Sequence, residues 1–292
     1  MGGSISCWVI AIWVAAIGGA VGSFLNVVVY RLPAGMSLSH PGSHCPQCKR
    51  PIRWHDNVPV FGWLILRGRC RDCRARIPIR YPLVEGLVAA IFFTVAIAEG
   101  ASGGANLPVR PLPVGDGVIY PALSSGELAG LVGWHLLLLC TLVASALIDR
   151  DGQRVPARLF LPGLLVGLAG SAIWPHLHPQ AAVVLAARPS AGIIDGLAGL
   201  ALGALLGAAG GWSLDRSARP AKAWSAGLVG LYLGWQPAAV IVLAAIVCRA
   251  ILRVLERIAG GRRTVGVDAW MAAWALVWIS GWAAFARMLF HP

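Results

Sequence analysis

The sequence predicts an all-α polytopic membrane protein of about eight transmembrane helices, with a small cysteine-bearing loop domain on its cytoplasmic side. Three observations predict it. Hydrophobic residues make up 58% of the 292-residue chain and charged residues 12%, and the mean hydropathy is +0.72. Apolar stretches of roughly 20 residues recur along the chain, the length needed to cross a bilayer. The basic residues gather in alternate connections between those stretches.

Residues 7–30 form the first span. No Lys or Arg precedes it and Arg31 follows at once; a signal peptide carries its positive charge ahead of the apolar core, so this reads as a retained anchor. The start MGGSIS also fits a myristoylation pattern, but a chain that inserts this often needs no lipid to reach the membrane. Further spans are expected at 83–99, 128–148, 157–174, 191–212, 223–235, 237–257 and 267–288. The break Gly234-Trp235-Gln236-Pro237 argues for a pair of helices there rather than one long one. Segment 31–82 holds ten Lys and Arg, 149–158 three, 213–222 three and 249–263 five, which is 21 of the 24; only Arg110, Arg188 and Arg287 lie on the other side. The positive-inside rule then puts these four segments in the cytoplasm and the N-terminus outside. The net charge of +12 needs no nucleic-acid partner, since contact with anionic membrane lipid accounts for it.

The first cytoplasmic connection carries Cys45-x-x-Cys48 and Cys70-x-x-Cys73. Two such knuckles about twenty residues apart can present four thiolates to one tetrahedral ion, so a structural Zn2+ in a zinc-ribbon-like domain is expected. Lys49, Arg69, Arg71 and Arg74 would help keep the thiols ionised, and a cytosolic disulfide would not persist. The bland alternative is a set of idle thiols. His44 and His55 lie nearby, but four thiols already close a site, and a closed site stabilises rather than catalyses. Cys7, Cys140 and Cys248 fall in apolar spans and read as packing residues. The chain thus divides into a first helix (1–30), a cytoplasmic zinc-binding domain built on the four cysteines (31–82) and a membrane domain of seven further helices (83–292).

An ordered series of motifs resembles the type IV prepilin peptidase family, the bifunctional leader peptidases and N-methyltransferases of pilus and type II secretion systems. It starts with Gly22-Ser23-Phe24-Leu25-Asn26 through Tyr30-Arg31-Leu32-Pro33. The paired cysteines, Asp56-Asn57-Val58-Pro59-Val60, Trp63-Leu64, Arg67-Gly68-Arg69-Cys70 and Arg80-Tyr81-Pro82-Leu83-Val84-Glu85 follow. Ile148-Asp149-Arg150-Asp151 with Val155-Pro156 is similar to the family's first catalytic segment, which implies that Asp149 is one of two catalytic carboxylates. The resemblance places the second in a Gly-x-Gly-Asp motif eight residues before Gly230, just ahead of Leu233-Gly234-Trp235-Gln236. That position is Lys222, behind Arg219-Pro220-Ala221. Gly266-Val267-Asp268-Ala269 occupies roughly the place of the family's C-terminal Pro-Phe-Gly-Pro turn.

An aspartic peptidase uses two carboxylates that share one proton over one water. A lysine in one seat would hold Asp149 ionised and remove that proton, so cleavage by the family route is expected to fail or be very slow. Among other acids at the cytoplasmic face, Asp215 is the best substitute and Asp268 opens the last span. Asp195 is expected as an N-cap, and Glu85 as a salt-bridge partner of Arg80 or a substrate contact. The resemblance further implies S-adenosylmethionine as methyl donor, prepilins or pseudopilins as substrates, and the bacterial inner membrane as location with a periplasmic N-terminus; no glycine-rich nucleotide loop locates the cofactor. Three readings follow: a working peptidase and methyltransferase, a member that methylates or binds without cutting, and a non-enzymatic secretion scaffold.

Overall fold

The computed structural model describes residues 2–100, 102–103, 112–114, 117–119, 124–174, 191–212, 219–258 and 265–290. It divides into two compact units, Met1–Ile97 and Ala98–Pro292.

In the first unit, helices α1 (Gly2–Arg31) and α3 (Arg80–Val95) flank the cysteine loop, which contains a short helix α2 (Phe61–Ile65). α1 is largely apolar, carries no charge before Arg31 and ends there. There the Arg31 guanidinium donates to the carbonyls of Ser37 (3.1 Å) and Pro41 (2.6 Å), a cation at the negative end of the helix. α1 and α3 approach closely because Gly18 and Gly22, one helical turn apart, have no side chains. A Cβ on Gly18 would sit 2.6 Å from the Phe92 ring, and one on Gly22 would sit 2.8 Å from Glu85 Cα.

The second unit holds α4 (Ser125–Arg150), α5 (Leu161–Ile173), α6 (Ala191–Trp212), α7 (Arg219–Leu233), α8 (Trp235–Ile258) and α9 (Val267–Phe290). α4 opens with a capping box: Ser124 Oγ accepts from the Glu127 N–H, and the Glu127 carboxylate accepts from the Ser124 N–H. It closes on Gly152 at φ +70, with Gly152 N–H to Asp149 O and Gln153 N–H to Ile148 O; this Schellman turn satisfies the last carbonyls. α7 and α8 are parted at Gly234 (φ +90), where the sequence expects a break. A side chain at Gly234 would begin 3.3 Å from the Asp195 carboxylate, so glycine is required twice over.

α6 lies backbone to backbone on α7. Cβ atoms on Gly199, Gly203 and Gly207 would meet the carbonyls of Gly230, Ala226 and Lys222 at 2.1, 2.1 and 2.4 Å. This small-residue stripe at four-residue spacing sets the height of Lys222. On the opposite flank, Trp134 packs against Tyr232 with the rings tilted by 36° (centroids 4.2 Å apart) and donates its Nε1–H to the Tyr232 carbonyl at 3.0 Å. The Tyr232 hydroxyl donates to Gly163 O at 2.8 Å. α4, α5 and α7 are thereby locked in register.

Each of the eight expected spans coincides with a helix. Five are long and apolar enough to cross a membrane by length and composition: Cys7–Arg31, Arg80–Gly100, Ser125–Arg150, Gly192–Gly210 and Trp235–Ile258. α5 and α7 are shorter, at 13 and 15 residues. Among the described residues the extended pairing is slight: a three-residue antiparallel ladder, β1 (Leu112–Val114) with β2 (Gly117–Ile119), and single bridges His44–Pro51 and Arg69–Arg76. Asp195, expected as an N-cap, lies inside α6 instead and is 3% exposed. Buried polar pairing also occurs where the linear pattern carries no signal. Glu99, in a π-helical turn (Ala96–Gly100), bonds His135 of α4, and both side chains are fully buried.

Candidate functional site

The four cysteines of the first unit converge. Their Sγ atoms all lie within 4.8 Å of one another, and Cys45 Sγ to Cys73 Sγ is 3.7 Å. Two copies of one turn bring this about. After each Cys-x-x-Cys the next residue, Lys49 or Arg74, takes a left-handed conformation (φ 60 and 61) and donates its N–H to the carbonyl of Cys45 or Cys70 (2.9 and 3.0 Å). Cys45 N–H then bonds Arg50 O and Cys70 N–H bonds Ala75 O, closing each knuckle into a miniature hairpin. Tetrahedral thiolate ligation requires sulfur–sulfur edges of about 3.8 Å, so the cluster fits one ion.

The electrostatics point the same way. Backbone N–H groups of Cys48 and then Gln47, with help from the Cys70 and Cys73 thiols, bring Cys45 down to about 6 against the effect of burial. An Ala75 N–H favours the Cys73 thiolate, but burial and the three neighbouring sulfurs push Cys73 up to about 11. Cys45 and Cys73, 3.7 Å apart, are thus driven in opposite directions by their shared surroundings. His44 is turned away from the sulfurs, with Nδ1 2.9 Å from Gly42 O. Crossing ion pairs tie the knuckles to the rest of the loop. Arg50 and Arg53 face Asp72 at 3.2 and 3.8 Å, and Arg71 donates to both oxygens of Asp56, Nε to Oδ2 at 2.7 Å. The Arg71 hydrogen bonds hold the Asp56 carboxyl below its ordinary range.

From Asp56 the chain turns through Pro59 and Val60. Val60 sits at φ 62, an uncommon conformation for a β-branched residue, and its N–H donates to Glu85 Oε2 at 2.7 Å. Glu85 therefore serves a strained backbone turn, where the sequence suggests Arg80 or a substrate. Gly62 is obligatory here because a Cβ would stand 2.2 Å from Asp56 O.

In the second unit the polar focus is Lys222. Its Nζ donates to Asp149 Oδ2 at 3.0 Å and to Asp268 Oδ2 at 2.7 Å. Asp149 is next to the last residue of α4, a poor place for an anion because the helix dipole is negative there; the ammonium offsets that. Asp268 lies in the first turn of α9, where the dipole favours an anion. Ser145, one turn before Asp149, donates to Asp268 Oδ2 at 2.7 Å and faces Ser225 at 3.3 Å, one turn after Lys222. The side chains grade outward: Asp268 is fully buried, Lys222 7% exposed and Asp149 31% exposed. A Cβ on Gly266 would stand 2.6 Å from Asp149 Oδ2, so a side chain there would push that carboxylate aside.

Asp149 and Lys222, named from the sequence, are thus in contact. Asp215, the expected substitute acid, lies outside the described residues. The acid brought to the lysine is Asp268, which the sequence marks only as the opening of the last span. Its one signal is an acid at the start of an apolar run on the same face as Asp149; no spacing rule links positions 149, 222 and 268.

Residues 16–98 match the family model described as the bacterial peptidase A24 N-terminal domain. A prepilin leader peptidase/N-methyltransferase of Myxococcus xanthus is 35% identical over 159 residues, 54% of this chain and 39% of that protein. Proteins of the same name from Pseudomonas putida and Neisseria gonorrhoeae are 34% and 30% identical, each over 74% of this chain and 78% of their own length. The chain spans well under two thirds of some relatives, the Myxococcus protein among them. No solved structure matches it. Similarity at this identity and coverage places the chain in the prepilin leader peptidase/N-methyltransferase family.

Proposed function

We propose that this chain is a multi-pass inner-membrane enzyme that removes the leader from type IV prepilins or pseudopilins and methylates the new N-terminus, in the service of a pilus or a type II secretion system. In this reading the N-terminus is periplasmic and the cysteine loop cytoplasmic, which the alternation of basic connections supports. The observation that carries the peptidase half is the convergence of two carboxylates, Asp149 from α4 and Asp268 from α9, on one point. Hydrolysis of a peptide bond needs one group to take a proton from water and another to polarise the carbonyl. Asp149, 31% exposed at the end of α4, can take that proton, and the buried Asp268 fixes the charge beside it.

Zn2+ bound by Cys45, Cys48, Cys70 and Cys73 would supply structure alone, since four thiolates leave no open position. S-adenosylmethionine would supply the methyl group, and the resemblance in the cytoplasmic loop supports methyl transfer in the first unit. There the ribbon, the Asp56–Arg71 pair and the Glu85-held turn at Val60 fix the shape of the loop.

A second reading rests on one fact, that Lys222 already occupies Asp149 Oδ2: a member that methylates without cutting. One assay decides. Purified protein is incubated with a full-length prepilin-like peptide and, separately, with a peptide already lacking its leader plus labelled S-adenosylmethionine. The proposal expects cleavage of the first, lost in Asp149→Ala, and methylation of the second. Methylation without cleavage establishes the second reading, and neither activity refutes both.

A further inference from the structure

A carboxylate pair that cuts peptides carries a net charge of −1, two anions holding one proton between them. Asp149, Lys222 and Asp268 carry the same net charge, with an ammonium where the proton would be. Lysine has three donor hydrogens. Two are committed to Asp149 Oδ2 and Asp268 Oδ2, and the third has no acceptor among the described residues. Asp149 likewise spends only Oδ2; its Oδ1 has no donor among the described residues, on a side chain that is 31% exposed. The basic oxygen and the cationic N–H thus belong to two groups joined at 3.0 Å, with Gly266 beside the carboxylate. Asp268 is fully buried, and among the described residues its carboxylate bonds only the lysine and Ser145.

We infer that Lys222 is a working part of the hydrolytic site: Asp149 is the general base, the Lys222 ammonium is the electrophile, and Asp268 is the positioning residue that holds the lysine charged and aimed. This rests on the peptidase reading. Asp149 Oδ1 takes a proton from water as the water oxygen bonds to the scissile carbonyl carbon. The carbonyl π electrons move to oxygen, and the oxyanion is held by the third N–H of Lys222. When the carbon–nitrogen bond breaks, the leaving nitrogen takes the proton from Asp149, and the site returns to its starting charge. No metal, oxidant or second substrate enters the balance.

The test compares wild type with Lys222→Met, Lys222→Arg, Asp268→Asn, Asp268→Glu and the double variant Lys222→Asp/Asp268→Ser, which places a plain acid pair at positions 149 and 222. Bound zinc and melting temperature serve as controls for folding, and cleavage and methylation are scored separately. Loss of one preorganised oxyanion donor costs about 100-fold or more in kcat. Lys222→Met should lose that much kcat with KM kept, with partial return in Lys222→Arg. Asp268→Asn should lower kcat rather than raise KM, and Asp268→Glu should recover more of it. Methylation of the leader-free peptide should be unchanged throughout. If the methionine variant does not fold, the arginine variant and the double variant still decide. Unchanged kcat in Lys222→Met, or cleavage above wild type in the double variant, overturns the inference and makes the lysine a latch. A wild type that methylates but never cleaves overturns it and leaves family membership of the methylating half intact. A wild type that does neither brings down the function proposal and this inference together.

Discussion

The cysteine cluster and the lysine–carboxylate cluster solve opposite problems by opposite means. Four sulfurs are gathered by two short turns, each closed by its own backbone hydrogen bonds within six residues. Three charges are gathered by the ends of three helices, whose heights are set elsewhere, by the Gly199–Gly203–Gly207 stripe and by the Trp134–Tyr232 lock. The first cluster gathers four thiols, groups that release protons when they take a cation. The second has its cation built in, and it balances the charge of one carboxylate while the other remains. Local turns can be lost without disturbing the helices, whereas a shift of any one helix would open the second cluster.

Removing the metal is the strongest way to break that comparison. Structural zinc sites of this kind contribute about 10 kcal/mol or more of apparent folding free energy. Cys45→Ser or Cys70→Ser should abolish stoichiometric zinc binding and expose segment 31–82 to proteolysis. Far-ultraviolet circular dichroism should fall little, because the membrane helices owe nothing to the ion. A collapse of helical signal on chelation would show that the two clusters are not independent.

The lysine gives the next effect. Lys222→Met leaves Asp268 buried with only Ser145 as donor, and stripping one partner from a buried pair costs about 3–5 kcal/mol. The double variant Lys222→Met/Asp268→Asn should recover most of that loss. In a thermal-denaturation cycle the coupling between the two positions should therefore be large, while coupling between either one and Cys45 should vanish.

How much of this could be read from the sequence follows the same division. The cysteine spacing is a local pattern, and the geometry of one knuckle is contained in six residues, so the convergence of the four sulfurs was legible. The eight helices were legible because apolar length and the alternation of basic connections are also local statistics. Lys222 could be placed by its distance from Gly230 and the Leu-Gly-Trp-Gln end. Its partner could not: Asp268 is 46 residues away, on a helix whose rotation depends on packing that no spacing encodes. Glu85 escapes the linear pattern for the same reason. Arg80 is its neighbour in sequence, but the strained Val60 N–H is its neighbour in space. Glu99 and His135 carry no signal at all, since each is a lone polar residue in an apolar run until the fold pairs them.

The helix stripe offers a sharper test of that dependence on packing. A leucine at Gly203 would have to displace the Ala226 carbonyl, which lies 2.1 Å from where its Cβ would be built. Overpacking of this kind costs roughly 1–3 kcal/mol, and against backbone the upper end is expected. The useful readout is function as well as stability. Pushing α7 away moves Lys222 from Asp149, so peptide cleavage should fall by more than the loss of folded protein explains, with zinc content unchanged.

The mildest change probes the other side of α7. Trp134→Phe keeps most of the ring contact with Tyr232 and removes only the Nε1 hydrogen bond to its carbonyl, worth about 1 kcal/mol. That carbonyl lies ten residues along α7 from Lys222, at the far end of the same rigid helix. A small drop in melting temperature with cleavage rate unchanged would mean that the glycine stripe alone sets the lysine. A fall in cleavage as large as that of Gly203→Leu would mean that the helix transmits a tilt along its whole length, and that the lysine is positioned from both ends.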